Sequence, residues 1–166
     1  MERFKEFSEE TKKIFYEAIE TNDLETVLMF LEAGVDINNQ HPFGLTPLHH
    51  VVELNRPEMV ELLLAAGADP NGKDWEGTPL YYLYKDNPEI AIMLLAAGAD
   101  PNVKNMWDEP VLNSYILRRQ LKVVKVLLLA GANPNVKNYK GKSSLYYAKK
   151  YTTTEMVRLL LDYGAE

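Results

Sequence analysis

Cysteine is absent from the 166 residues, which excludes disulfides and thiolate metal sites while leaving the compartment open. Histidine is scarce: His41, His49 and His50 are the only three. Two adjacent histidines on a helix face different ways, and no third ligand stands at a suitable spacing, so no metal site is expected. No Gly-rich phosphate loop is present, which leaves nothing to cradle a nucleotide cofactor. No apolar run approaches the roughly 18 residues that span a bilayer, and Met1-Glu2-Arg3-Phe4-Lys5-Glu6-Phe7 is too charged for a signal peptide. A net charge of −6 without a reading motif speaks against nucleic acid. The expectation is a soluble cytoplasmic monomer with no membrane, no nucleic acid and no cofactor, acting in a host cytosol if a signal-less route exports it.

What the chain has in quantity is repetition. Ala33-Gly34-Val35-Asp36-Ile37-Asn38 returns as Ala66-Gly67-Ala68-Asp69-Pro70-Asn71, Ala97-Gly98-Ala99-Asp100-Pro101-Asn102 and Ala130-Gly131-Ala132-Asn133-Pro134-Asn135, and begins again at Gly164-Ala165. A period of 31 to 33 residues through five copies is the mark of a repeat array. In one copy, Met59, Val60, Leu62, Leu63 and Leu64 have helical spacing, and Gly67 suits the left-handed position after the helix. Before it, Thr46 can cap a short helix with Pro47 at its first position, and Asn55 fits the tight connection. A lone helix pair cannot bury enough apolar surface to offset its ordering entropy, so the units must stack.

Gly44-Leu45-Thr46-Pro47-Leu48-His49, then Asn55 to Val60, then Leu62-Leu63-Leu64-Ala65-Ala66-Gly67-Ala68-Asp69 together resemble the ankyrin repeat. The resemblance covers nearly the whole chain, from about Ser8 to Glu166. It implies an all-α ankyrin-repeat solenoid of stacked helix-turn-helix units with β-turn fingers. One domain spans 1–166, with units of about 1–38, 39–71, 72–102, 103–135 and 136–166. Ordinary globular composition and the absence of any linker agree.

The copies are not equal. The first is an atypical cap: Ser8 should start a helix from about Glu9 to Thr21, with Ile14, Phe15, Ala18 and Ile19 making one apolar face. Phe4 and Phe7 should fold back over the end of the stack, the alternative being a small exposed contact point. Residues 72–102 are two residues short, and Leu80-Tyr81-Tyr82-Leu83-Tyr84 carries bulk where the family has small residues. Leu83 and Tyr84 should therefore push neighbouring inner helices apart. In 103–135, Asp108-Glu109-Pro110-Val111-Leu112-Asn113 replaces the Gly-x-Thr-Pro-Leu-His phrase. Asp36, Asp69 and Asp100 are expected to close turns, and Asn38, Asn71, Asn102 and Asn135 to play an ordinary turn role at positions that asparaginyl hydroxylases modify in other ankyrin arrays. His49 occupies the family's structural position, where its ring bonds within the turn. No acid–base or nucleophilic constellation remains, and no enzyme is expected.

Two sets of side chains suggest docking. Phe43, Trp75, Trp107 and Tyr139 are each 32 residues apart, where the family has its finger tips, and a row of exposed rings is costly unless something covers it. The positions matching the family's variable concave surface hold His50, Leu54, Tyr82, Lys85, Leu117, Arg118, Tyr147 and Tyr151, a set rich in interface-forming types. Residues 1–98 hold 18 acidic and 7 basic side chains, residues 99–166 hold 6 and 11, so Arg118, Arg119, Lys122, Lys125, Lys149 and Lys150 could meet an acidic surface. The resemblance implies a non-enzymatic module binding a folded protein partner. A dedicated inhibitor or an immunity or effector protein of one target is the alternative, and a purely structural or engineered array is a second, against which the irregular copies argue.

Overall fold

Ser8 starts the first helix as its side chain allows, accepting a hydrogen bond from the Thr11 N–H at 3.2 Å, and α1 runs Glu9–Thr21. A computed structural model describes residues 8–39 and 45–166; Phe4, Phe7, His41, Phe43 and Gly44 lie outside them. After α1, Asn22 turns the chain at φ 61°, the left-handed region that Asn tolerates better than most residues. α2 follows as Leu24–Glu32, with Asp23 accepting from the Thr26 N–H at 3.0 Å. The same plan gives α3 (Pro47–Glu53) and α4 (Pro57–Ala65) around Asn55 at φ 56°. It gives α6 (Val111–Leu117) and α7 (Leu121–Leu129) around Arg119 at φ 59°. The last pair is α8 (Ser144–Tyr151) and α9 (Thr154–Asp162).

The third unit departs from the plan. Its outer helix α5 is regular (Pro88–Ala96), but the inner segment makes only a 3₁₀ turn, Pro79–Tyr82. The crowding expected of Leu83 and Tyr84 is relieved because the chain leaves the helix after Tyr82. Leu83 is fully buried and Tyr84 points outward. The lost helical turn leaves carbonyls without intrahelical donors, and the next unit supplies them. Tyr115 Oη donates to Leu80 O, Arg118 Nη1 to Tyr81 O at 3.2 Å, and Gln120 Nε2 to Tyr84 O. Three residues of the fourth copy thus mend the third.

Inner elements pack in chain order, α1 on α3, α3 on the 3₁₀ turn, that turn on α6, and α6 on α8; outside, α4 packs on α5 and α5 on α7. Buried apolar side chains form one cluster from Phe15 to Ala165. At the edge of the stack the units are laced by asparagine amides. Asn71 Nδ2 donates to Gly98 O at 2.8 Å while its Oδ1 accepts from Asp100 N–H at 2.9 Å. Asn38 bonds likewise to Gly67 O and Asp69 N–H, Asn102 to Gly131 O and Asn133 N–H, Asn135 to Gly164 O and Glu166 N–H. Asp36, Asp69 and Asp100 close their turns by accepting from the N–H two residues on, at 2.8 to 3.0 Å. The sequence points to the turn; the stitching between units comes from the 31- to 33-residue period bringing each amide beside the next glycine.

Candidate protein-docking surface

The third, fourth and fifth fingers are each built by an Asx residue accepting from the tip. Asp74 Oδ1 takes the N–H groups of Glu76 and Gly77, Asn105 Oδ1 those of Trp107 and Glu109, and Asn138 Oδ1 those of Lys140 and Lys142, all at 2.9 to 3.1 Å. In this register the residues after the Asx position are Trp75, Met106 and Tyr139, and Trp107 stands one place further on. The even 32-residue spacing of the rings therefore does not mark a single tip position, because the third unit is short. Met106 belongs to the row, and the spacing of Asp74, Asn105 and Asn138 could have revealed it. Trp75, Met106, Trp107 and Tyr139 are 65, 66, 57 and 63% exposed, far above what large apolar side chains show in a core.

Behind the tips, the His49 position ties each finger to the next. His49 Nδ1 accepts from the Thr46 N–H at 3.1 Å, which leaves Nε2–H to donate to Gly77 O at 3.3 Å. Desolvation holds this histidine below its ordinary pKa of 6.5, against the pull of Asp74, so the ring is neutral. Tyr81 takes the place of His49 in the third unit, its hydroxyl donating to Val103 O and Glu109 O. Its ring explains Gly77 at φ 144°: a Cβ there would lie 2.6 Å from Tyr81 Cδ2. Asn113 takes the place in the fourth, accepting from Ser144 Oγ at 2.7 Å. Its amide and that of Asn138 bind the two oxygens of Glu109 at 2.7 and 2.6 Å.

The concave candidates divide. Tyr82 was expected at the surface but is 6% exposed; it stands edge-on to His49 at 5.1 Å and donates to Asp74 Oδ2, because the 3₁₀ turn rotates it inward. Burial raises its pKa, as it does those of Tyr81 and Tyr115. Arg118 is exposed, yet its guanidinium lies 4.7 Å from the Tyr84 ring centroid while it donates to Tyr81 O, a structural engagement that spacing could not show. His50 is half-buried, 3.6 Å from Glu20, and Leu54 ends α3 half-buried. Lys85, Leu117 and Tyr151 are exposed. Tyr147 is half-buried, its hydroxyl accepting from Asn138 Nδ2 at 2.7 Å and its ring stacked on Tyr151 at 6.3 Å.

The sequence reading overlooked Lys140, Lys142 and Tyr146. Lys142 Nζ sits 4.3 Å from the Tyr146 ring centroid, Lys150 Nζ 4.9 Å from that of Tyr151 and Lys140 Nζ 5.0 Å from that of Tyr139. Side-chain hydrogen bonding to Tyr139 and to Tyr151 raises the pKa of Lys140 and Lys150, which keeps both charged. Among the described residues no group of three or more His, Cys, Asp or Glu could hold a metal ion, and no helix is long and apolar enough to cross a membrane.

Comparison with known proteins agrees with this architecture. Over 62 residues the chain is 40% identical to the 2-5A-dependent ribonuclease of Homo sapiens, covering 37% of this chain and 8% of that protein. Over 77 residues it is 36% identical to the ARF GTPase-activating protein GIT1 of Homo sapiens, covering 45% and 10%. Over 62 residues it is 44% identical to the putative ankyrin repeat protein FPV018 of Fowlpox virus, covering 34% and 8%. The aligned segments thus span a tenth or less of these relatives. The model for ankyrin repeats, in three copies, matches residues 15–105, more than half of the sequence, and the chain belongs to the ankyrin-repeat family.

Proposed function

We propose that this chain is a non-enzymatic protein-binding module that grips a folded partner with its finger tips and the adjoining concave side chains. Ankyrin repeats are in general protein–protein interaction modules, and the observation that carries the reading here is the exposure of Trp75, Met106, Trp107 and Tyr139 in neighbouring fingers. Rings of this size give large contact area at small rotamer cost. Each is mounted on a turn held by two Asx hydrogen bonds, so little order is lost on binding. Tyr147, Tyr151 and Leu117 complete the proposed surface, whereas Tyr82 is buried beneath it and Arg118 is engaged with Tyr81 O and the Tyr84 ring. The setting is cytosolic and the module acts as a monomer.

The test is a variant with Trp75, Met106, Trp107 and Tyr139 all replaced by serine, compared with the parent in affinity capture from the native source and in thermal melting. The expected result is loss of the captured protein with an unchanged Tm. A large fall in Tm with the captured protein retained would make the rings structural and refute the proposal. One tight stoichiometric partner assigns the module as a dedicated inhibitor; several weaker ones assign it as a scaffold.

A further inference from the structure

Among the described residues, the inner layer of the fifth unit carries lysines that make no ion pair. Of the six carboxylates in residues 99–166, three are engaged within the fold. Asp100 closes its turn onto the Asn102 N–H; Asp108 pairs with Lys104 at 2.9 Å; Glu109 is held by the amides of Asn113 and Asn138. The other three, Glu155, Asp162 and Glu166, lie on the outer helix α9 and at the end of the chain. α6 carries no charged residue, α8 carries only Lys149 and Lys150, and the fifth finger carries only Lys137, Lys140 and Lys142. Among the described residues, Lys140, Lys142 and Lys150 have no carboxylate within ion-pairing distance. Each is instead held over an exposed tyrosine, and Lys150 bridges two, lying 5.8 Å from the Tyr146 centroid as well as 4.9 Å from that of Tyr151.

We infer that the partner segment received by the fourth and fifth units is acidic: a stretch of protein whose carboxylates meet Lys140, Lys142 and Lys150 while its apolar groups lie on Tyr139, Tyr146 and Tyr151. The inference rests on the docking reading above and names the partner's chemistry. A ring beneath each ammonium restricts the lysine before binding, so less side-chain freedom is lost when a carboxylate arrives. The opposite end of the array sets the direction. Residues 1–98 carry 18 acidic against 7 basic side chains, so the same segment is repelled there and one orientation is selected.

The experiment selects a random dodecapeptide phage library on the intact protein. Selected peptides, labelled with fluorescein, are then measured by anisotropy against the parent and three variants. K140E/K142E/K150E reverses the patch, W107S/Y139S removes finger rings, and K12E/K13E reverses charges on α1 as a control. The expected outcome is enrichment in Asp and Glu, a loss of affinity on the order of tenfold or more in the patch variant, and less than about twofold in the control. Binding should also weaken several-fold as salt rises, since exposed charges are screened over about 8 Å at physiological ionic strength. Peptides that lose affinity in W107S/Y139S but not in the patch variant would overturn the acidic assignment and leave the docking reading standing. Binding insensitive to both, or no selected peptide, removes both readings. Tighter binding of a dT20 oligonucleotide than of the selected peptides would also overturn the acidic-protein assignment.

Discussion

The asparagine lacing gives the sharpest test of how the units are joined. Replacing Asn71 by alanine deletes the donor to Gly98 O (2.8 Å) and the acceptor for Asp100 N–H (2.9 Å), both bridging the second and third units. Each such bond contributes about 1 kcal/mol net, and water can reach these exposed groups to replace part of it, so the cost is about 1–2 kcal/mol. For a chain of this size that lowers Tm by about 3–7 °C. Asn71→Asp keeps the acceptor, loses the donor and brings a carboxylate toward Gly98 O, so at neutral pH it is no more stable than the alanine variant. Asn39→Ala is the control: Asn39 engages through its backbone N–H to Asp36 O at 3.1 Å, which the substitution preserves. Urea denaturation followed by circular dichroism measures all three. A loss below about 0.3 kcal/mol for Asn71→Ala, or one matched by Asn39→Ala, would refute the claim that these amides hold the stack.

Arg119 occupies the left-handed turn position filled by asparagine in the first two units, at φ 59°; Arg119→Gly should stabilise the protein by about 0.5–1 kcal/mol in the same urea assay. Tyr115→Phe leaves Leu80 O without its buried donor and should cost about 1–3 kcal/mol, read from the urea midpoint. Burial holds His49 below 6.5 when folded, so the unfolded chain binds its proton first, and the stability this residue contributes above pH 6.5 is lost as pH falls toward the folded pKa. Melting curves from about pH 7.5 to about pH 5 should therefore show a shallower acid decline for His49→Gln than for the parent.

The fold was legible because its signals are local and repeated. Ser8, Asn22, Asn55 and the glycine at each unit's end state where helices begin, turn and stop, and five copies in register leave little choice of architecture. The candidate docking surface was legible only in outline. Trp75, Trp107 and Tyr139 stand out as rings at turn tips, but the shortened third unit shifts their register, and that shift becomes visible only when the Asx bonds of Asp74, Asn105 and Asn138 are aligned. Tyr82 was misplaced because the sequence predicts a helix where the chain makes a 3₁₀ turn, and a change in residues per turn redirects every following side chain. Arg118 and Glu109 each have a partner 37 or 29 residues away, Tyr81 O and the Asn138 amide, a separation at which helical spacing carries no information.

The mending of the third copy by the fourth makes these two neighbours a matched set. In an array of interchangeable modules any copy can be exchanged for an idealised one. Here a regular fourth module would take away the phenol, guanidinium and amide that clothe three bare carbonyls, while a regular third module would leave those same groups with no oxygens to serve. Sequence drift on one side of this seam constrains drift on the other, and grafting or truncating the array is safest where the cut keeps both halves of the seam together.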